Sequence, residues 1–218
     1  MKSVILLSGG IDSTVLVAIA KSLWRDCYAI SFDYSQRHRV ELESARAIAH
    51  FYAIPHHVIK IDSKAFSGTS LVNDLAVPKN RTVDQINESE IPNTYVPARN
   101  TLFLSYAAGQ AEIVGAEEIY FGPNAMDYHC YPDCRESYIE AFQQVLNCAT
   151  KQAIEKGGPR LCVPLIKLNK KQIVELGKQL GAPIELTMSC YDPVNGAHCR
   201  KCDACTLRFS ALEQFVNL

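Results

Sequence analysis

The turn that follows the first apolar run constrains this fold more than any other part of the sequence. It reads Ser8-Gly9-Gly10-Ile11-Asp12-Ser13-Thr14 and joins the apolar run Val4-Ile5-Leu6-Leu7 to an apolar-rich segment, 15–24. Adjacent glycines allow the backbone to turn sharply and to approach an anion, and the free N–H groups at the start of a helix attract phosphate. The hydroxyls of Ser13 and Thr14 add donors. The sequence therefore predicts a strand, a phosphate-binding turn and a helix.

This turn differs from two common nucleotide-binding motifs. The Gly-Lys-Ser/Thr of a Walker A motif does not follow it, and it lacks the Gly-x-Gly-x-x-Gly spacing of dinucleotide-binding turns. A glycine turn capped by aspartate or serine, with no ligand, is the structural alternative. The rest of the chain decides between the two.

Short apolar runs alternate with helix-length segments along the chain, which indicates an α/β fold. At 218 residues the chain is long enough for one such domain with a small appendage. Strand–helix–strand units favour an open parallel sheet with right-handed crossovers and helices on both faces, and they place the turn at the carboxyl edge of the strands. The expected strands are 4–7, 27–32, 58–61, 118–121 and 161–163, and the expected helices are 15–24, 39–52, 101–114, 135–153 and 170–180.

The segment from Asp62 to Tyr95 lacks hydrophobic periodicity and is rich in Ser, Asn, Asp, Pro and Gly. A stretch of this length without regular structure is more often a functional lid than a simple connector. We therefore expect a lid that closes over the substrate.

The charge and hydropathy of the chain argue against several classes of protein. The formal net charge is −1 and charged residues make up 21% of the sequence, so direct binding to nucleic acid is not expected. The N-terminal apolar run is too short for a signal peptide, and no segment approaches the roughly 18 apolar residues of a membrane span. These features predict a cytoplasmic protein.

The chain contains nine cysteines, an odd count that favours thiols or metal ligands over disulfides. Four of them have the spacing C-x8-C-x2-C-x2-C, at Cys190, Cys199, Cys202 and Cys205. Two residues between thiolates let both reach one ion, and a closed shell of four favours structural zinc. An iron–sulfur cluster, or four ordinary thiols, are the alternatives. With zinc, residues 186–218 would form a metal-binding tail on an α/β domain of residues 1–185.

Several segments resemble known families. The turn resembles the Ser-Gly-Gly-x-Asp-Ser signature of the PP-loop ATP pyrophosphatases, which split ATP to AMP and pyrophosphate. Four further segments resemble those of the 7-cyano-7-deazaguanine synthases, in the same order and over almost the whole chain. They are Ser31-Phe32-Asp33-Tyr34-Ser35-Gln36-Arg37-His38, Val96-Pro97-Ala98-Arg99-Asn100, Tyr131-Pro132-Asp133-Cys134-Arg135 and Ser189-Cys190-Tyr191.

The resemblance implies the PP-loop fold and the reaction of that family. The reaction converts 7-carboxy-7-deazaguanine, ammonia and ATP into the nitrile. The carboxylate is adenylated, ammonia displaces AMP to give an amide, and a second activation permits dehydration. The resemblance also suggests a homodimer. A reactive acyl adenylate must be shielded from water, which agrees with the expected lid.

This chemistry assigns roles to the turn. ATP would bind to Ser8, Gly9, Gly10, Ile11, Asp12, Ser13 and Thr14, whose N–H and hydroxyl groups would hold pyrophosphate as the leaving group. Asp12 would bind Mg²⁺ or orient the N–H groups, because a carboxylate repels phosphate. Arg99 would neutralise charge during adenylation, and its alternative is a structural ion pair. Asp12, Ser13 and Arg99 are therefore the expected catalytic residues.

The deazaguanine needs an acceptor for its amine and ring N–H groups. Asp133 is the first choice and Asp127 the second, and Arg135 would pair with the substrate carboxylate or a neighbouring acid. Tyr131 would stack on the flat ring, and Gln36 would contact adenosine or the substrate. The alternative for Asp133 is a cap on the helix that begins near Arg135.

Six residues depart from the family pattern, namely Ile11, Ser35, Ala98, His129, Cys130 and Arg200. The bulky pair His129-Cys130 replaces a small turn beside the expected base pocket and would reshape it. An enzyme that stops at the amide or uses another amine is therefore an alternative. A PP-loop enzyme that modifies tRNA is a further one.

Overall fold

One parallel sheet organises the described part of the chain. The computed structural model describes residues 1–34, 36, 40–66, 77–87, 91, 94–213 and 215, and for residues 63, 65, 87 and 128–130 it describes the backbone alone. Among these residues, the sheet has five parallel strands in the order β3-β2-β1-β4-β5. The strands are β1 (Lys2–Leu6), β2 (Asp26–Asp33), β3 (His56–Lys60), β4 (Glu118–Tyr120) and β5 (Arg160–Cys162). The chain first adds β2 and β3 on one side of β1 and then adds β4 and β5 on its other side. Open α/β sheets bind ligands where the strand order changes direction in this way.

Helices cover both faces of this sheet. Within the described ranges they are α1 (Ile11–Ser22), α2 (Val40–Phe51), α3 (Val83–Asn87), α4 (Arg99–Val114), α5 (Ala125–Cys130), α6 (Glu136–Leu146), α7 (Lys151–Lys156), α8 (Lys170–Gln179) and α9 (Asp203–Glu213). Short 3₁₀ turns occupy Ser63–Phe66, Pro132–Cys134 and Ile184–Leu186. The predicted fold class, an open parallel sheet with helices on both faces, is confirmed.

Successive side chains of β1 enter two different cores. Val4 packs in a cluster that includes Leu104 of α4 and Phe142 of α6. Ile5 packs on the other face, with Val15 of α1 among its neighbours. A strand buried on both faces explains why β1 has a continuous apolar run and no alternation of apolar and polar residues.

The helix predicted for residues 135–153 is wrong in one respect, because it is divided into α6 and α7. The side chain of Thr150 accepts a hydrogen bond from Ala153 N at 3.2 Å and so begins a new helix. Gly158 packs against the end of α6, where a Cβ on it would lie 2.1 Å from Leu146 O. The sequence pattern did not show this break, since apolar spacing continues across it.

The segment predicted to lack regular structure contains a 3₁₀ turn and the short helix α3. The rest of that segment, residues 67–76, 88–90, 92 and 93, lies outside the described residues. Residues 77–87 pack against the C-terminal part of the chain: Lys79 Nζ is 2.6 Å from Asp192 Oδ2, and Arg81 Nε donates to Asp203 Oδ1 at 3.0 Å. None of the described helices has both the length and the apolar character to span a membrane.

Candidate active site

The turn after β1 leaves the first N–H groups of α1 available to a ligand. Gly10 is the N-cap of α1, and no side chain caps the helix. The turn is held by its own hydroxyls. Ser8 N donates to Ser13 Oγ at 3.2 Å, the two serine Oγ atoms lie 3.0 Å apart, and Thr14 Oγ1 donates to Gly10 O at 2.8 Å. An uncapped N-terminus at the positive end of a 12-residue helix favours an anion.

Gly9 is required by both its backbone conformation and its surroundings. Its φ is +91°, and an added Cβ would lie 2.1 Å from Glu41 O and 2.9 Å from Ala45 N of α2. Its carbonyl accepts a hydrogen bond from Met188 N at 2.9 Å. Residues from both halves of the chain therefore position the turn.

Two adjoining cavities lie at the carboxyl edge of β1, β2 and β4. The first, here the inner cavity, has a volume of about 260 Å³ and includes Tyr34, Arg99, Phe103 and Tyr131 in its lining. The second, here the loop cavity, has a volume of about 180 Å³ and is lined by the turn, Lys170 and Arg208. Both cavities are lined by Ser8, Asp12, Glu41, Asp127 and Tyr191. Together they form a continuous cleft at the point where the winding of the sheet reverses.

A larger depression of about 770 Å³ lies at the opposite edge of the sheet, beside Glu118, Lys151 and Arg160. Its lining includes none of the predicted site residues. Volume alone would therefore point away from the turn and the predicted site residues.

Asp12 is held by side chains from distant parts of the chain. Lys170 Nζ lies 2.7 Å from each of its carboxylate oxygens, and Asn124 Nδ2 donates to Oδ2 at 2.8 Å. Sequence reasoning missed both partners, which lie 158 and 112 residues away. The pairing with Lys170 offsets the negative charge of the carboxylate beside the uncapped start of α1.

Capping boxes at the starts of α8 and α5 position Lys170 and Asn124, the two partners of Asp12. Asn169 caps α8 and exchanges hydrogen bonds with Gln172, which fixes Lys170 in the first turn of the helix. Asn124 and Asp127 form the same arrangement at the start of α5, which was not predicted. An Asn followed three residues later by an acidic residue is a sequence signal for such a cap, and it was available here.

Asp127 lies where the two cavities meet. Its Oδ2 accepts the Asn124 N–H at 3.1 Å. Burial, and to a smaller extent the charge of Asp12, raise the pKa of Asp127 to about 6. The group is mostly ionised at neutral pH, but it takes up a proton more readily than an exposed aspartate.

Two arginines line the cleft, and Arg208 is buried while Arg99 is half-buried. Arg99 starts α4 and lines the inner cavity. Arg208 of α9 lines the loop cavity and donates to Thr187 Oγ1 at 2.7 Å and Ser189 Oγ at 3.3 Å. Among the ion pairs of the described residues, none involves either guanidinium. Two guanidiniums that form no ion pair with a described carboxylate make the cleft suited to anions.

The inner cavity also has a flat aromatic wall. Phe32 and Phe103 stack with ring centroids 3.9 Å apart, and both line the cavity. The hydroxyl of Tyr131 lies 3.2 Å from Thr94 Oγ1. The neighbouring Tyr131 and burial raise the pKa of Tyr191 well above its usual value, so this phenol stays neutral. Such a cavity fits a planar heterocycle with polar edges.

The structure does not bring all predicted substrate residues to the cleft. Tyr131 and Asp127 line it. Gln36 is buried and donates to Phe32 O at 3.1 Å, so its amide shapes the loop after β2. Asp133 is buried and accepts the Asn100 N–H at 3.1 Å, so it caps α4 and not the helix near Arg135. Arg135 is exposed and lines neither cavity.

The members of the turn also differ in position. Ser8, Asp12 and Ser13 line the inner cavity, and Gly10 and Ile11 line the loop cavity. Gly9 and Thr14 line neither cavity, and their hydrogen bonds to Met188 and Gly10 stabilise the turn. Ser35, His38 and the side chains of His129 and Cys130 lie outside the described residues.

The four predicted metal ligands converge. The sulfurs of Cys190, Cys199, Cys202 and Cys205 all lie within 4.8 Å of one another. Two of the separations are 4.0 and 3.9 Å, close to the about 3.8 Å expected between sulfurs in a tetrahedral zinc shell with Zn–S bonds of about 2.3 Å. Cys199 N donates to Cys190 Sγ at 3.3 Å, a bond that stabilises a thiolate. The donor set fits a four-thiolate metal site.

Comparison with known proteins agrees with this arrangement. Residues 2–216 match the family described as queuosine biosynthesis protein QueC. The chain is 49% identical over 216 residues to the 7-cyano-7-deazaguanine synthase of Nostoc punctiforme, which covers 98% of this chain and 96% of that one. Identity to the enzyme of the same name from Cellvibrio japonicus is also 49% over 216 residues, covering 98% and 93%.

A solved structure shows the same fold. The U34-tRNA thiolase NcsA from Methanococcus maripaludis aligns with a TM-score of 0.53 at 17% identity, covering 100% of this chain and 66% of that one. At this identity the likeness concerns the fold alone. With the match over residues 2–216 and the high identity to curated relatives, the chain belongs to the queuosine biosynthesis QueC family of 7-cyano-7-deazaguanine synthases.

Proposed function

We propose that this chain is an ATP-dependent ligase that converts 7-carboxy-7-deazaguanine and ammonia into 7-cyano-7-deazaguanine, in queuosine biosynthesis. The observation that carries this proposal is the cleft, which joins an uncapped helix N-terminus to the half-buried Arg99 in a member of this family. Adenylation of a carboxylate needs both features, because the leaving pyrophosphate and the attacking carboxylate are both anions.

The triphosphate of ATP would occupy the loop cavity. The N–H groups at the start of α1 and the hydroxyls of Ser8 and Ser13 would bind its oxygens. Lys170 and Arg208 add positive charge on the far side of this cavity and would stabilise departing pyrophosphate. Mg²⁺ would bind mainly to the phosphates, with Asp12 as the protein carboxylate in reach, since this ion usually takes few protein ligands.

The planar base would lie in the inner cavity. Tyr131 and the aromatic wall would contact its faces, and Asp127 lies on the side nearest the turn. The substrate carboxylate oxygen would attack the α-phosphorus, so that an O–P bond forms and the bond to pyrophosphate breaks. Arg99 would neutralise the charge that gathers there.

The product distinguishes this function from its alternatives. Purified protein is incubated with ATP, Mg²⁺, ammonium and 7-carboxy-7-deazaguanine, and the base and nucleotides are followed by mass spectrometry. We expect the nitrile, AMP and pyrophosphate. Amide alone would assign the chain to an enzyme that stops one step earlier, and an unchanged base would overturn the proposal.

The cysteine cluster is proposed to hold structural zinc in a tail of residues 186–218, packed on an α/β domain of residues 1–185. Zinc bound by four thiolates has no open position for water and would act by holding the chain in place. Met188 lies next to the cluster, and its N–H donates a hydrogen bond to the carbonyl of Gly9. The tail therefore contacts the turn that would bind phosphate.

Replacing Cys202 with serine tests this role. We expect the loss of about one equivalent of zinc, a lower unfolding temperature and weaker ATP binding, because the Met188 contact depends on the tail. Elemental analysis, thermal unfolding and calorimetry measure the three quantities. Cys148→Ser, at an exposed cysteine outside the cluster, is the matched control. Iron in the protein, with a brown colour, would contradict zinc.

The protein is further proposed to be cytoplasmic and to make no direct contact with nucleic acid. Four clustered thiols that bind a metal need a reducing compartment. The formal net charge of −1 provides no general attraction to a polyanion.

A homodimer is proposed through α4. Leu102, Tyr106 and Ile113 are exposed at 39%, 45% and 79%, and with Gly109 they share one face of the helix. In an antiparallel pair of α4 helices, Leu102 would meet Ile113 of the partner, and Tyr106 would fill the space above Gly109 of the partner. A Cβ on Gly109 would meet no atom within 4 Å in its own chain. The face is therefore complementary to itself, as a two-fold interface requires.

Ile113→Lys is expected to convert the dimer to a monomer, because it would bury two charges in an apolar contact. Sedimentation velocity measures the mass. Phe51→Lys changes an equally apolar side chain, 55% exposed, at the end of α2 on the other face of the sheet, and should leave the mass unchanged. A dimer that survives Ile113→Lys would exclude this interface.

A further inference from the structure

The position of Asp127 between the two cavities suggests a role in the ammonia step of the proposed reaction, on which this inference rests. Asp127 lines both the inner cavity, where the base would lie, and the loop cavity, where the phosphates would lie. The carbonyl carbon of an acyl adenylate joins these two groups. That carbon would therefore stand beside Asp127 when ammonia attacks it.

Three carboxylates line both cavities, and they differ in the bonds they already make. Both oxygens of Asp12 are paired with Lys170. Glu41 accepts the Gln36 amide at 3.2 Å. Asp127 uses Oδ2 to accept the Asn124 N–H, and its Oδ1 has no hydrogen bond to a described residue. Asp127 thus has an oxygen that makes no hydrogen bond to a described residue and is open to a bound nitrogen.

We infer that Asp127 binds the incoming ammonia through Oδ1 and accepts its proton as the amide forms. The nitrogen lone pair forms the C–N bond to the acyl carbon, and one N–H proton passes to Oδ1. The C–O bond to the phosphate breaks, and its electron pair leaves with AMP. The proton then returns from Asp127 to solvent. No oxidant or further reactant is required.

The surroundings of Asp127 suit this role. Asp12 of α1 adds negative charge nearby, and Lys170 of α8 and Arg99 of α4 add positive charge. Their combined effect, with burial as the largest cause, is the raised pKa of about 6. A carboxylate with this pKa is ionised at neutral pH and is a better base than an ordinary aspartate.

Replacing Asp127 with asparagine separates the ammonia step from adenylation. Asparagine still offers an oxygen to the Asn124 N–H, so the cap of α5 is kept, but it cannot accept a proton. Single-turnover reactions with ATP, Mg²⁺, the carboxylate and ammonium are quenched in acid, and pyrophosphate, acyl adenylate and amide are measured. We expect amide formation to slow on the order of 10²-fold while pyrophosphate is still released and acyl adenylate accumulates.

Asp133→Asn is the matched control, because Asp133 is a buried carboxylate that accepts one backbone N–H and lines neither cavity. Any loss should affect pyrophosphate release and amide formation by the same factor. Asp127→Glu keeps a carboxylate and should recover at least part of the amide rate. An unchanged ratio of amide to pyrophosphate in Asp127→Asn, or a changed one in Asp133→Asn, would overturn the inference.

The wild-type enzyme gives a second measurement. At a constant concentration of free ammonia, amide formation should fall as the pH is lowered through about 6, since protonated Asp127 accepts no proton. Tyr131 and Tyr191, which also face this region, stay neutral over that range because their pKa values are raised. A rate independent of pH there would count against Asp127. Failure of the wild type to release pyrophosphate with this carboxylate would instead overturn the proposed function.

Discussion

Replacing Gly9 with alanine is expected to abolish ATP-dependent turnover and to lower the free energy of unfolding by roughly 2–4 kcal/mol. The φ of Gly9 is +91°, and a Cβ there would lie 2.1 Å from Glu41 O. Either α2 or the turn must move, and in the proposed function the turn would supply the donors for the triphosphate. Pyrophosphate release, ATP calorimetry and chemical unfolding measure the three effects.

The control for Gly9→Ala is Gly115→Ala. Gly115 also has a positive φ, +69°, but a Cβ there would meet no atom within 4 Å. This variant carries the backbone penalty without the collision, so we expect a loss of about 1 kcal/mol in stability and normal turnover. Turnover by Gly9→Ala within tenfold of wild type would contradict this prediction. It would show that α2 moves away from the new side chain and that the turn keeps its conformation.

Replacing Arg99 with methionine is expected to reduce kcat/KM for adenylation on the order of 10²- to 10³-fold. Methionine keeps much of the apolar stem and removes the charge. Because Arg99 forms no ion pair with the described carboxylates, its removal leaves no buried carboxylate unpaired. The loss should therefore appear in catalysis more than in stability. Pyrophosphate release over a range of substrate concentrations measures it.

Arg135→Met is the matched comparison. The sequence suggested a substrate contact for Arg135 as well, but its side chain is exposed and lines neither cavity. We expect its kcat/KM to stay close to that of wild type. A larger loss for Arg135→Met than for Arg99→Met would mean that the cleft described here is not where the carboxylate reacts.

Local patterns predicted the sheet and the convergence of the four cysteines well. The strands were recognised because each is a short apolar run followed by a turn residue, and β1, β2 and β4 were each predicted within a few residues of their ends. The four cysteines were recognised because ligand spacing is itself a local pattern. α9 was missed, although it carries Cys205, since its apolar residues show no clear helical period.

The composition of the cleft was harder to predict. Lys170 and Asn124 contact Asp12 only because α8 and α5 begin at the same edge of the sheet as α1, and no short sequence window contains that information. Asp133 and Arg135 were assigned to the substrate because they belong to the same motif as Tyr131. A 3₁₀ turn over Pro132–Cys134 directs Asp133 toward α4 and leaves Arg135 exposed.

The strand order has a consequence for synthesis on the ribosome. β1 emerges first, but Ser3 pairs in register with both Cys27 and Glu118, so one edge of β1 stays open until β4 has been made. Lys170 and Met188, which complete the surroundings of the turn, emerge later still. Contacts over such separations slow folding and leave apolar edges open to aggregation. A nascent chain that stops before α8 therefore carries the phosphate-binding motif without a finished site.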